Sequence, residues 1–248
     1  MAKKEKSELS ETLSTIIWAV VIALVLRTFL FQPFHIPSGS MLPTLMKGDY
    51  IITSKYSVGY GRYAAAPIPF PSGEGRFLER EPKRGDVLVF RPDGDDKNFI
   101  KRLVGLPGDT VQMQEGKLLL NGDPVQLDLI GEESFSDQSG DDVLAEIWAE
   151  TFQNGNKHII YDSQKNSPSD NTTVYRIPEG HYFMMGDNRD NSGDSRFPVR
   201  NGGAGIVPAS NIIGRAEIVL LSVENDFVLY KPWTWANMRS DRFFKRIK

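Results

Sequence analysis

Residues 98–104 read Asn98-Phe99-Ile100-Lys101-Arg102-Leu103-Val104. In an extended strand alternate side chains share a face, so Lys101 belongs with Phe99 and Leu103 while Arg102 points the other way. A lysine on an apolar strand face has two readings. Its long stem can snorkel and carry the ammonium to the sheet edge. Alternatively, burial can hold the amine in place and lower its pKa until it is substantially neutral and able to take a proton. This stretch leaves both open, but it does settle the kind of element. Similar short runs recur at 49–60 (DYIITSKYSVGY), 85–90 (GDVLVF), 109–114 (DTVQMQ), 117–122 (KLLLNG) and 216–223 (AEIVLLSV), separated by Gly, Pro and Asp. Asn121-Gly122, between KLLL and PVQL, is a hairpin signal. The fold expected is mainly β and antiparallel.

The N-terminus differs. From Ile16 to Leu26 there is no polar residue, and apolar character resumes at Phe29-Leu30-Phe31 after Arg27-Thr28. Counted over 13–31 the segment has 19 residues, near the roughly 20 that a membrane-spanning helix needs. Arg27 lies where its guanidinium can snorkel to the interface. Lys3, Lys4 and Lys6 precede the run, which favours a cytoplasmic N-terminus with the remainder outside. A removable signal peptide would also begin this way, but the RTFLFQPF that follows is bulky where a small-x-small cleavage site is needed. A buried core helix is the other alternative. No second stretch of comparable length follows, so a single span is expected.

The bulk numbers narrow the chemistry. With 29 basic and 32 acidic residues in 248, the chain has no polycationic character, and nucleic acid is not an expected partner. The absence of cysteine excludes disulfides, thiolate metal sites and a thiol nucleophile. His35, His158 and His181 lie far apart without ligand spacing, so neither a histidine metal site nor a Ser-His-Asp triad is expected. Residues 62–74, rich in Ala, Pro and Gly, read as an extended loop or ribbon. Residues 121–150 carry nine acidic side chains and no Lys or Arg, which reads as a solvated insertion without chemistry.

Two further stretches can carry chemistry. Pro37-Ser38-Gly39-Ser40-Met41 places two hydroxyls around a glycine a few residues past the apolar run. Such a string is commonly just a turn. Read functionally, Ser40 is a nucleophile needing a base, Gly39 leaves room for a substrate backbone, and Ser38 can donate to an oxyanion beside a backbone N–H. A lysine base would suit a serine lacking histidine. The second stretch is 186–197 (GDNRDNSGDSRF), dense in residues that tie a loop together through side-chain to backbone hydrogen bonds. As an EF-hand loop it fails, because aligning Gly193 to the loop glycine leaves Val199 where a bidentate Glu is required. A loop that buttresses a site is the better reading.

Taken together, PSGSMLPT, RGDVLVF with FIKRLVGLPGD, and MGDNRDNSGDSR, in that order behind an N-terminal span, resemble the type I bacterial signal peptidases, membrane-bound Ser-Lys serine peptidases. The resemblance implies that Ser40 is the nucleophile, Lys101 the general base and Ser38 the side-chain donor of the oxyanion hole. It further implies that Ser192 orients the amine and that Asp194 and Arg196 brace the loop. Phe34, Ile36, Pro37, Met41, Leu45, Val89 and Ile100 match substrate-binding positions for the small residues at −1 and −3. No cofactor or metal is implied. The partners implied are preproteins with signal peptides and the lipid bilayer, at the bacterial inner membrane with the catalytic domain on the periplasmic side.

The organisation implied is a cytoplasmic N-terminus over 1–12 and a transmembrane anchor over 13–31. An antiparallel β catalytic domain follows from 34–108 plus 182–230, with an inserted non-catalytic β-rich subdomain over 109–181 and a C-terminal tail over 231–248. Two departures from the family stand out: members of the Gram-negative kind often have two spans, and here the insertion lacks cysteines. Ser40 follows Phe31 by nine residues, a reach of roughly 30 Å at most, so its hydroxyl would lie in the zone where a bilayer-held substrate presents its cleavage site. Phe29, Phe31 and Phe34, and at the other end Trp233 and Trp235, are candidates for seating that face in the interface. The rival reading is a membrane-tethered binding module whose serines only form turns.

Overall fold

The structure is a computed structural model describing residues 2–64, 75–136, 141–224 and 231–248. Helix α1 runs over Ala2–Val25, and a π-helical turn over Leu26–Leu30 continues it. The sequence 2–25 offers neither Pro nor Gly to interrupt the helix. Its polar intruders satisfy themselves, since the Thr12 and Thr15 hydroxyls donate to the Glu8 and Glu11 carbonyls at 2.8 and 2.9 Å. Over Glu8–Leu30 none of the segment is buried, and Ile16, Ile17, Trp18, Ile22 and Leu24 all face outward. That disposes of the core-helix alternative, because such a helix would be covered by protein. The helical segment ends at Leu30: Phe31 already belongs to a strand and pairs with Ser54.

Among the described residues fifteen strands follow in chain order. These are β1 Phe31–His35, β2 Asp49–Ser54, β3 Val87–Phe90, β4 Phe99–Gly105, β5 Thr110–Gln114, β6 Lys117–Leu120, β7 Asp123–Pro124 and β8 Gln126–Ser136. The remainder are β9 Asp142–Thr151, β10 Lys157–Asp162, β11 Tyr175–Arg176, β12 His181–Met185, β13 Val207–Pro208, β14 Ile212–Ser222 and β15 Lys245–Arg246. The main sheet has the order β1-β2-β14-β3-β4-β12-β13, with β15 added against β14. Strands β5 to β11 build two smaller sheets, ordered β11-β5-β6-β7 and β10-β9-β8. All named strand pairs are antiparallel. The Asn121-Gly122 hairpin forms between β6 and β7, with φ of 56° and 87° at its two residues.

Three apolar clusters hold these sheets. Val58, Leu88, Phe90, Leu103, Met184 and Ile212 fill one on the main sheet. A second joins the β5–β6 sheet to the main one through Val111, Leu118 and Leu120 against Val104, Phe183 and Met185. Burying a side chain such as Phe183 contributes about 1.5–3 kcal/mol, so this contact fixes the insertion against the main sheet. The third, under β1 and the serine turn, gathers Ile36, Met41, Leu45, Ile51, Val89 and Ile213. The C-terminal residues also pack: Arg242 is buried and chelates the fully buried Asp49, with Nε to Oδ1 at 3.0 Å and Nη2 to Oδ2 at 2.5 Å.

Of the ribbon expected over 62–74, residues 65–74 lie outside the described residues, as do 225–230 and the side chain of Trp233.

Candidate active site

Strand β4 presents both of its cations inward. Lys101 is only 4% exposed, so it does not snorkel, and Phe99 on the same face lies with its ring centroid 5.8 Å from Nζ. The amine donates to Ser40 Oγ at 2.6 Å. Burial lowers the lysine pKa from 10.5 to about 8; Asp194 and Asp187 pull it upward and Arg196 pushes it down. Ser40 is itself buried, and Ser38 Oγ lies 3.4 Å from Ser40 Oγ. An amine whose pKa is lowered to about 8, set against a hydroxyl with a second hydroxyl alongside, can in its neutral form remove a proton while the second hydroxyl supplies a donor to new negative charge.

The loop after β12 grips the serine turn. Asn188 donates its backbone N–H to the Ser40 carbonyl at 3.2 Å and its side-chain Nδ2 to the Gly39 carbonyl at 3.1 Å. Gly186 runs so close that a Cβ there would collide with the Ser40 carbonyl and with Ser192 Oγ, which makes glycine a steric requirement. Ser192 Oγ is buried and has no hydrogen-bond partner among the described residues. Asp194 accepts from Arg196 Nε and Nη2 at 2.9 and 2.8 Å and from the Gly186 N–H at 3.0 Å. The Arg196 guanidinium holds the Asp194 carboxyl below its ordinary range against an upward push from burial.

Of the expected substrate-binding residues, Ile36, Met41, Leu45 and Val89 are buried together in the third cluster, with Phe34 and Ile100 half-buried against it. Pro37 is exposed and does not belong to that cluster.

Several residues of the site escaped the sequence reading. Arg102, on the opposite face of β4 from Lys101, chelates Asp187 with Nε to Oδ1 at 2.8 Å and Nη2 to Oδ2 at 2.6 Å. Thr44 Oγ1 donates to the same Asp187 carboxylate at 2.5 Å. Behind them Glu150 accepts from Arg189 Nη2 at 2.6 Å, and His158 Nε2 lies 3.2 Å from Glu150 Oε2. That approach is not an aligned hydrogen bond, and both ring nitrogens of His158 lack a hydrogen-bond partner among the described residues. Burial, then Arg102, lowers the His158 pKa and keeps the ring neutral. A cation on each face of one strand was the available signal for Arg102. Glu150 had none, lying in a stretch whose composition reads as solvated.

The family model described as signal peptidase, peptidase S26, matches residues 9–221. The signal peptidase I of Rickettsia typhi is 35% identical, over 98% of this chain and 96% of its own length. The chain belongs to the peptidase S26 signal peptidase family. The signal peptidase I of Rickettsia prowazekii is 36% identical over 93% of this chain and 90% of its own length. A crystal structure of a signal peptidase I from Enterococcus faecalis is 24% identical and covers 55% of this chain and 97% of that one, with a TM-score of 0.34. This signal peptidase is therefore a hydrolase, a serine peptidase that removes signal peptides. Its N-terminal apolar helix fits a membrane anchor.

Proposed function

We propose that the chain cleaves secreted preproteins after small-x-small sites with a Ser40–Lys101 dyad. The observation that supports it is the 2.6 Å hydrogen bond from a buried lysine amine to the Ser40 hydroxyl. Neutral Lys101 takes the Ser40 proton as Oγ attacks the carbonyl of residue −1. The oxyanion accepts from the Ser38 hydroxyl and the Ser40 backbone N–H. The resulting ammonium protonates the leaving amine and releases the mature protein. Neutral again, Lys101 deprotonates a water that hydrolyses the ester and frees the signal peptide. Ser192 offers its uncommitted hydroxyl to orient the amine, while Asp194 and Arg196 hold the loop. No metal or cofactor enters any step.

We assign the small residues at −1 and −3 to an apolar floor above the buried Ile36, Met41, Leu45 and Val89, rimmed by half-buried Phe34 and Ile100. Pro37 is exposed, and we assign it to the substrate-binding face. The catalytic unit is assigned to 34–108 with 182–230 and the inserted subdomain to 109–181. In a bacterial inner membrane one span over 13–31 would leave 1–12 cytoplasmic and the catalytic unit on the periplasmic side, as Lys3, Lys4 and Lys6 favour. Phe29 and Phe31, both more than two-fifths exposed beside the span, suit the interface.

The test is cleavage of a purified preprotein by full-length Ser40→Ala and Lys101→Ala variants in detergent. Both should be inactive and folded; turnover by either removes the assignment.

A further inference from the structure

The inserted subdomain grips the loop that in turn grips the nucleophile. At the end of β10 the Tyr161 N–H donates to the Asp187 carbonyl at 2.8 Å and the Arg189 N–H donates to the Tyr161 carbonyl at 2.9 Å. These two bonds form a parallel bridge between the insertion and the loop, pairing Tyr161 with Asn188. Next to it Asp190 Oδ2 accepts from the N–H groups of Ser163 and Gln164, both at 2.9 Å. The backbone of the loop thus continues the edge of the insertion's sheet.

Among the described residues the bridge has one buried ionic anchor. Glu150, 1% exposed on β9, accepts from Arg189 Nη2 at 2.6 Å. Arg189 is 5% exposed, and its Nε has no hydrogen-bond partner among the described residues, so Glu150 is the carboxylate that holds this guanidinium. A buried guanidinium deprived of its carboxylate is costly and relocates if the loop can open a route to water. The Arg189 main chain cannot move alone. Its carbonyl accepts from Arg196 Nη2 at 2.5 Å, the same nitrogen that binds Asp194. One residue before it, Asn188 makes both hydrogen bonds to the serine turn.

We infer that Glu150 is a positioning residue for signal-peptide hydrolysis: through Arg189 it fixes the peptide that sets the register of Asn188 against Ser40, which makes the insertion part of the active-site scaffold. Among the described residues Glu150 pairs with Arg189 and His158 and makes no hydrogen bond or ion pair with the dyad. Its effect falls on the geometry of attack, where displacements of about an ångström change rates by about a hundredfold, rather than on the apolar floor that binds substrate. This inference rests on the Ser40–Lys101 reading.

The experiment compares full-length Glu150→Gln and Glu150→Asp with the parent and with Ser40→Ala on one preprotein, and uses Glu132→Gln, an exposed charge removal on β8, as control. Glu150→Gln should lower kcat by about tenfold or more with KM within about twofold. Glu150→Asp, which keeps the charge, should recover part of that loss, and Glu132→Gln should match the parent. If Glu150→Gln fails to fold, Glu150→Met/Arg189→Met removes both charges together, a replacement that buried pairs commonly tolerate; its kcat should show the same loss. Parent-like kcat in a folded Glu150→Gln or double variant overturns the inference, as does a rise in KM at unchanged kcat. Residual turnover by Ser40→Ala would instead defeat the dyad reading, so the two failures are distinct.

Discussion

Among the described residues two lysines are buried, and they meet different ends. Lys101, on β4, is 4% exposed and donates to the Ser40 hydroxyl; Lys55, just past β2, is 2% exposed and donates to the Ala64 backbone carbonyl. Burial is the leading cause at both, and it lowers each pKa from 10.5 to about 8, with Arg27 adding to the effect at Lys55. Desolvation thus prepares an amine as a base without making it one. What differs is the partner. A carbonyl oxygen has no proton to give, whereas a hydroxyl does. A depressed lysine pKa is a pointer to function only when a transferable proton lies within reach.

The sharpest way to break the contrast is to remove each amine in turn. Lys101→Met should lower kcat/KM for a preprotein by about a thousandfold or more, the scale of losing a general base to a serine nucleophile. Lys55→Met should stay within about threefold of the parent. Comparable losses at both sites would mean that burial, not the partner, is what matters.

The next effect tests the support around Lys101. Gly186→Ala places a methyl against the Ser40 carbonyl and Ser192 Oγ, and the displaced loop should cost roughly a hundredfold in kcat. A parent-like Gly186→Ala would show that the grip on the serine turn is dispensable.

Stability should move oppositely to activity at Lys101. Between pH 8 and 10.5 the unfolded chain keeps the lysine proton while the folded chain has lost it, so stability rises with pH across that window. Below it the folded state carries the cost of burying the charge, and Lys101→Met should gain on the order of 3 kcal/mol at neutral pH in denaturant melts. The variant should also lose the rise in stability between neutral and alkaline pH; a destabilised Lys101→Met would contradict the desolvation argument.

The smallest effect concerns the pH profile of the parent. With Lys101 as base, kcat/KM should rise with pH to a plateau with a midpoint near 8. Lys55→Met should leave that midpoint unchanged.

The parts legible in the sequence were those written locally. Alternation along 98–104 put Lys101 on an apolar face, and the strand does bury it there. The short β runs, the span and the serine turn were readable for the same reason. The ionic scaffold was not, because its partners are distant: Arg102 and Asp187 are 85 residues apart, Glu150 and Arg189 are 39 apart, and only strand pairing brings them together. Glu150 shows why composition failed. Among nine acidic residues over 121–150 it looked solvated, yet pairing of β9 with β10 sets it opposite His158 and turns it inward.

The most direct test of the central claim is a pH titration of Lys101 itself, by NMR of the full-length protein carrying 13Cε-labelled lysine, with the signal assigned by its loss in Lys101→Met. A midpoint near 8 is expected. A midpoint near 10.5, the value of an ordinary lysine, would mean that the amine is charged at working pH and cannot take the serine proton.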